Sequence, residues 1–365
     1  MLQERAAQPS WLSSLAARSA ARQRFLLVAL IVGLIGTFLA SLALGSVNIP
    51  LGEIVTILRG GEPARAAWTT IVLDFRLTKA ITAALAGAAL GVSGLIMQTL
   101  FRNPLADPYV LGISSGASLG VAIVVLAAGT TGVSLLAGIG LAGDFALITA
   151  ASLGSAAVLA LVLIAARRVN SGLTLLILGL MFGYITSALV SLLIHFSIAD
   201  RIQTYVNWTF GSFGGVTWSQ MPLYAAGTIA GLVLANLTAK PLNALLLGDA
   251  YARSMGLDIR AARRRLITSA ALLTGIVTAF CGPIGFLGIA VPHLARTLLR
   301  SSDHRLLLPA CTLIGAMLAL IADIIAQSPG SITVLPLNAI TALFGAPVVV
   351  WMILRQREVK ETFSA

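Results

Sequence analysis

The sequence predicts an all-α, polytopic membrane protein with about ten transmembrane helices, and three observations predict it. Of 365 residues, 58% are hydrophobic and only 10% charged, with a mean hydropathy of +0.96, far outside the soluble globular range. Uncharged runs recur at about the 20 residues that a helix needs to cross a bilayer. No segment of about ten residues alternates polar with apolar side chains, as a barrel strand must. Helices are then the way to satisfy the backbone in lipid.

Residues 1–24 carry Arg5, Arg18, Arg22 and Arg24 ahead of an apolar run from Phe25 to Gly45. This reads as a cytoplasmic N-terminal segment and an uncleaved first span. Asn48 to Arg76 is a polar excursion, in which Pro50 can open a short interfacial helix over Ile49 to Leu58. Span two covers about Leu77 to Phe101, with Gly87, Gly91 and Gly94 on one face for close helix approach. In the following turn Asp107 sits as an N-cap and Pro108 at the first helical position. Span three then places Gly112, Gly116 and Gly120 four residues apart. Span four is about Phe145 to Ala166, closed by Arg167 and Arg168, and span five about Leu173 to His195. The next connection is rich in glycine and aromatics. Its Trp208 and Trp218 read either as interfacial anchors or as part of a mouth for a large ligand. Span six covers Met221 to Ala239.

Pro241 to Arg265 is the polar island of the second half. Asp249, Arg253, Asp258, Arg260, Arg263, Arg264 and Arg265 must sit in water, and the pattern predicts two amphipathic helices, Asn243 to Met255 and Leu257 to Arg265, broken at Gly256. The apolar stretch Leu266 to Ala295 is too long for one span and short for two. Breaking it near Gly282-Pro283 gives ten spans and puts nineteen of the 24 basic residues on one side, with both termini there. That side is cytoplasmic by the positive-inside tendency. Spans nine and ten are about Leu306 to Ala326 and Leu335 to Leu354. Residues 25–354 form a single transmembrane domain, 242–265 its inner loop and 355–365 a cytoplasmic tail.

The net charge of +11 has this topological reading and needs no nucleic acid. A Gly-x4-Gly-Lys-Ser/Thr phosphate loop is impossible, because Lys79, Lys240 and Lys360 follow Thr78, Ala239 and Val359. Any ATP and magnesium are therefore held by a partner, and the chain is expected to carry no cofactor or metal and to perform no catalysis. Cys281 and Cys311 lie in apolar runs, and His195, His293 and His304 do not cluster. His304, after Asp303, is expected to be a cap or surface contact. A carboxylate at the middle of a bilayer costs about 3 kcal/mol on insertion, and Asp323 lies three residues from the end of span nine, a depth that allows partial solvation. It is expected to be a structural acid paired with a backbone donor or hydroxyl. Gly282, Pro283 and Gly285 form the expected hinge. Ser114, Ser115, Ser118, Asn338 and Thr341 are candidates for lining a path. An ion-coupled transporter would need more buried acids than Asp323, and an intramembrane enzyme would need paired catalytic groups.

These residues resemble the permease subunits of bacterial ABC importers for iron-siderophore complexes, haem and cobalamin, the FecCD-type family. The resemblance rests on Arg76-Leu-Thr-Lys79, Phe101-Arg-Asn-Pro-Leu-Ala-Asp-Pro108, Gly112-Ile-Ser-Ser-Gly-Ala117, Leu247-Gly-Asp-Ala-Tyr-Ala-Arg-Ser-Met-Gly256, Gly282-Pro-Ile-Gly-Phe-Leu-Gly288, Val291-Pro-His-Leu-Ala-Arg296, Ser302-Asp-His-Arg305 and Ala342-Leu-Phe-Gly-Ala-Pro347. It implies the cobalamin-permease-like fold in the bacterial cytoplasmic membrane. It also implies a homodimer, two cytoplasmic ATPase subunits, an external substrate-binding protein and a metal-chelate cargo. An iron-siderophore or haem is the first expectation for that cargo and cobalamin the alternative. Leu242 to Arg265 become the ATPase-coupling helices, with Leu247, Gly248, Asp249, Arg253, Met255, Gly256, Leu257 and Arg260 as the contact residues. Arg76 and Lys79 match basic positions that dock the binding protein, although the family more often has arginine at the second. Gln327 stands where some relatives carry another arginine.

Overall fold

The computed structural model describes residues 10–128, 144–169, 172–327 and 334–362; they form helices joined by turns, with no strand among them. The chain opens with α1 (Ser10–Ala43), which starts well ahead of Phe25. A short α2 (Leu51–Leu58) follows Pro50. The centre is α3 (Ala67–Phe101), π-helical over Ile71–Leu77. It ends at Arg102 in the left-handed region. Asp107 accepts from the Tyr109 N–H at 2.8 Å to open a 3-10 turn, Pro108–Leu111, as the Asp-Pro pair predicts. Then come α4 (Ile113–Ala122) with a π-helical extension, Ile123–Ala128, α5 (Asp144–Arg168), α6 (Gly172–His195) and α7 (Ala199–Thr209).

Pro241 explains the next break: its ring opposes the carbonyl four residues back, so α8 (Met221–Leu237) cannot run on. The chain bends by 48° into α9 (Ala239–Leu246). After α10 (Asp249–Ser254) comes α11 (Ile259–Cys281). The expected pair of island helices is thus corrected. The first is divided at Gly248, whose φ of 108° only glycine adopts easily. The second is the opening of α11, which continues straight into the bilayer. The chain closes with α12 (Leu287–Leu299), α13 (His304–Ala326) and α14 (Leu337–Thr362), whose length carries helix past the expected boundary at 354.

Among the described residues six helices are long and apolar enough to cross a membrane, or seven if the bent pair α8 and α9 is one span. The other three expected spans coincide with shorter apolar helices, Ile113–Ala127, Leu287–Leu299 and Leu337–Val350. A 13-residue helix such as α12 rises only about 20 Å, against about 30 Å of hydrocarbon. Among the described residues the expected count of about ten therefore has an apolar helix at each place, six or seven of them long and apolar enough to cross.

The most apolar stretch of α3 is 83% buried, against 17% for α1 and α6. This makes α3 the post around which α8, α11, α12 and α13 pack. Contact is backbone to backbone. A Cβ on Gly87 would fall 2.0 Å from the Gly315 carbonyl oxygen of α13, and one on Gly94 1.8 Å from that of Gly288 in α12. Gly116 and Gly154 join α4 to α5 in the same way. In lipid, such close packing and interhelical hydrogen bonds supply much of the cohesion. Ser93 of α3 contributes both, with its Oγ 3.0 Å from the Ala270 carbonyl and 2.7 Å from Thr274 Oγ1 of α11.

Candidate functional site

The residues gathered in the 242–265 segment form a polar hairpin at the arginine-rich end of the bundle. Asp249, the first residue of α10, holds two arginines. Its Oδ1 accepts from Arg102 Nη2 at 3.0 Å and its Oδ2 from Arg263 Nη2 at 2.6 Å. One carboxylate thereby ties the end of α3, the hairpin and the start of α11. Gly256 closes α10 in a left-handed cap, with its own N–H on the Arg253 carbonyl and that of Leu257 on the Ala252 carbonyl. Asp258 caps α11 by accepting from the Ala261 N–H at 3.1 Å. That bond, helped by Arg264 and Arg260, holds its carboxyl below the usual range.

The sequence left Asn243 without a role and read His304 as a cap or surface contact; the structure makes them a bolt. Asn243 Nδ2 donates to Asp303 Oδ1 at 2.6 Å. Its Oδ1 is thereby aimed at His304, accepting from the backbone N–H at 2.8 Å and lying 2.7 Å from Nδ1, which must carry the proton. On the far side, His304 Nε2 lies 2.8 Å from Thr99 Oγ1 of α3. The hairpin is therefore fastened to α3 and α13 as well as to α11. The sequence did not signal the buried histidine; the cap of α13 is Asp303, which accepts from the Arg305 N–H at 2.9 Å.

What the hairpin leaves outward is apolar and basic. Leu247, Tyr251 and Met255 are half to two-thirds exposed, with Arg253 and Arg260 exposed beside them. Leu247, Met255 and Leu257 line one wall of a groove of about 460 Å³, with Lys240 and Arg305 among its cations.

At the other end, Arg76 and Lys79 turn inward. The Arg76 guanidinium donates to the carbonyls of Leu42 and Ala43, at 2.7 and 2.9 Å, and to that of Val47. It thus satisfies the open C-terminus of α1. Lys79 Nζ sits 3.0 Å from Asp323 Oδ1, and Gln327 Nε2 donates to Oδ2 at 2.6 Å. Asp323 is paired as expected of a structural acid, but its partners are a lysine and an amide in place of the backbone donor or hydroxyl anticipated. In this conformation both expected docking cations are committed to the fold.

The break between α11 and α12 is stitched. Gly282 has φ 74°, where a Cβ would fall 2.6 Å from the Trp208 carbonyl, and Phe286 has φ 68°. The Tyr109 hydroxyl accepts from the Ile284 N–H at 2.9 Å and donates to the Ile284 carbonyl at 3.0 Å. Asn338 Oδ1 accepts from the Gly285 N–H at 3.1 Å, and the Ser212 N–H donates to the Cys281 carbonyl at 2.8 Å. The expected hinge residues Gly282, Pro283 and Gly285 thus lie in a segment whose backbone is bonded out.

The five path candidates fall on two separate elements, α4 and α14. Ser115 Oγ lies near Gly183 of α6, Ser118 bonds Tyr205 of α7, and Ser114 shares their half-buried stretch. Asn338 belongs to the stitched break, and Thr341 Oγ1 donates back to the Asn338 carbonyl at 3.1 Å. Trp208 stacks on Tyr205, while Trp218 Nε1 donates to the Leu73 carbonyl at 3.1 Å, anchoring the loop to the π-helical part of α3. No group of three or more metal-ligating side chains occurs among the described residues.

Comparison with known proteins gives one answer in three ways. The FecCD transport family model matches residues 28–355. The vitamin B12 import system permease protein BtuC of Klebsiella pneumoniae is 38% identical over 336 residues, covering 92% of this chain and 95% of its own. The protein of the same name from Shigella boydii is 37% identical, covering 91% and 95%. A solved structure of a metal-chelate type ABC transporter in an inward-facing conformation superposes with a TM-score of 0.79 at 27% identity, covering 91% of this chain and 99% of that one.

Proposed function

Because the chain belongs to the FecCD transport family, we propose that it is the membrane-spanning permease of a bacterial ABC importer that carries a metal chelate across the cytoplasmic membrane. The observation that carries this reading is the hairpin. A chain with no phosphate loop presents an apolar, basic knuckle at one end, and fastens it through Asp249 and Asn243 to α3, α11 and α13. Such a knuckle, standing beside a groove, is built to be gripped and moved by a cytoplasmic ATPase, which holds the ATP and magnesium. Leu247, Met255 and Leu257 with Arg253 and Arg260 are the contact set, Gly248 and Gly256 set the turns, and Asp249 is the internal strut. The ATPase works as a dimer and the permease as a homodimer. In that assembly the path runs between two copies. Both termini are cytoplasmic, and an external binding protein delivers the chelate.

For the cargo, the names of the relatives favour cobalamin; a ferric siderophore or haem is the second reading, which the metal-chelate transporter neighbour supports equally. Docking of the binding protein engages the outer ends of α1, α3 and α13. Arg76 and Lys79 act there by shaping the surface, or by leaving their present partners when the binding protein arrives.

Reconstitution into proteoliposomes with the partner ATPase and binding protein tests this. Uptake of cobalamin that needs ATP and ignores ionophores is expected. Uptake of a ferric siderophore or haem alone would move the cargo to the second reading, and transport without an ATPase would sink the proposal.

A further inference from the structure

A second basic feature at the same end is not part of the hairpin's outward knuckle. Between the C-terminal ends of α5 and α8 and the first turns of α11 lies an open groove of about 610 Å³. Its membrane-ward wall is Leu163, Leu234 and Leu237, the last two 44% and 73% exposed. Its rim carries Arg167 from α5 and Arg264 and Arg265 from α11, with the exposed Thr268 hydroxyl a turn deeper. None of the three arginines forms an ion pair among the described residues, although Arg264 lies close enough to Asp258 to help lower that carboxyl. Three cations thus face a cleft whose floor is hydrocarbon-like and which opens toward the lipid-facing surface of α8.

We propose that this groove binds an anionic phospholipid, with its phosphate among Arg167, Arg264 and Arg265, Thr268 donating to the headgroup and an acyl chain lying along Leu163, Leu234 and Leu237. The shape decides for a lipid over a free anion, because a small ion would use the rim and leave the apolar wall wet. Charge decides for an anionic headgroup over a zwitterionic one: choline would place a fourth cation among three. Basic pockets between helices at a membrane surface recognise lipids in this way. The inference depends on the chain lying in a membrane and is independent of which cargo it carries.

The test is the ratio of phosphatidylglycerol to phosphatidylcholine that stays bound to the full-length chain, purified from mixed vesicles and read by native mass spectrometry. The R167Q/R264Q/R265Q variant should lose that preference by on the order of a hundredfold, about a factor of five for each arginine. R59Q/R65Q, at the opposite end, should keep it. An unchanged ratio in the triple variant, or equal loss in both, would overturn the site. So would displacement of phosphatidylglycerol by millimolar inorganic phosphate. If the triple variant does not fold, a bimane label on T268C in the otherwise intact chain reads the same site. Spin-labelled phosphatidylglycerol should quench it more than spin-labelled phosphatidylcholine at equal mole fraction, and equal quenching would refute the proposal.

Discussion

Lys79 and Asp323 are opposite charges held together inside the outer third of the bundle, so removing one strands the other. Replacing Lys79 with Met should destabilise the protein by about 3 kcal/mol, the low end for a broken buried pair because the lysine keeps some solvent. Replacing both, as K79M/D323L, should restore most of it; heating followed by gel filtration of the folded fraction reads the difference. Asp323→Asn should spare transport if the acid is structural, and loss of uptake with normal assembly would show otherwise. At Gly94 the constraint is shape: Ala there meets the Gly288 carbonyl and should cost about 3 kcal/mol. The glycines were legible as packing surfaces from their three- and four-residue spacing, and Asp323 as a paired acid from its depth. Its partner was not, because Lys79 is 244 positions away in sequence and a lysine near a span end looks like an outward cation until α3 and α13 are known to touch.

The elements themselves were legible wherever a chemical stop marks them. Asp107-Pro108, Gly256 and Gly282 each end or begin a helix where the sequence places them. What escaped was the use made of the gaps, because a stitch such as Tyr109 on Ile284, or a bolt such as Asn243 on His304, pairs segments that only the tertiary packing brings together. Both can be probed. Tyr109→Phe strips the Ile284 N–H and carbonyl of their partner and should cost about 1 to 3 kcal/mol. If the break between α11 and α12 moves during transport, the same change should also alter the turnover rate. Unaltered turnover would mean that the break stays closed throughout. At the bolt, burial works against the Asp303 carboxylate, but the Arg305 N–H and the Asn243 amide outweigh it and hold its pKa below 3.8. A depressed folded-state value means that its contribution is full above the unfolded value and is lost as pH falls through the folded one. The gap in thermal stability between the wild type and Asp303→Asn should therefore be constant near neutrality and close only in acid, below the ordinary carboxylate range. A gap that closed near pH 6 would point to another group.

For the whole molecule, alternation of charge and hydrocarbon along the chain sufficed to give the class, the order of the spans and the polar end. It placed the Gly282-Pro283 break that makes α12 short, but not the stitch that holds it, because a bond from another element leaves no mark in local hydropathy. The orientation proposed here predicts that a cysteine at Ser254, exposed on α10, reacts with an impermeant maleimide only in inside-out vesicles; labelling of intact cells would invert the topology. Asp249 has a mechanical corollary. Its two arginines sit on α3 and α11, which press against each other along their length, while the far end of α3 is moored to α13 through Lys79. A tug on the knuckle therefore cannot slide one helix alone. On the proposed coupling it would swing α3, α11 and α13 as one spindle, and whatever opens at the outer mouth would open in step with the stroke delivered below.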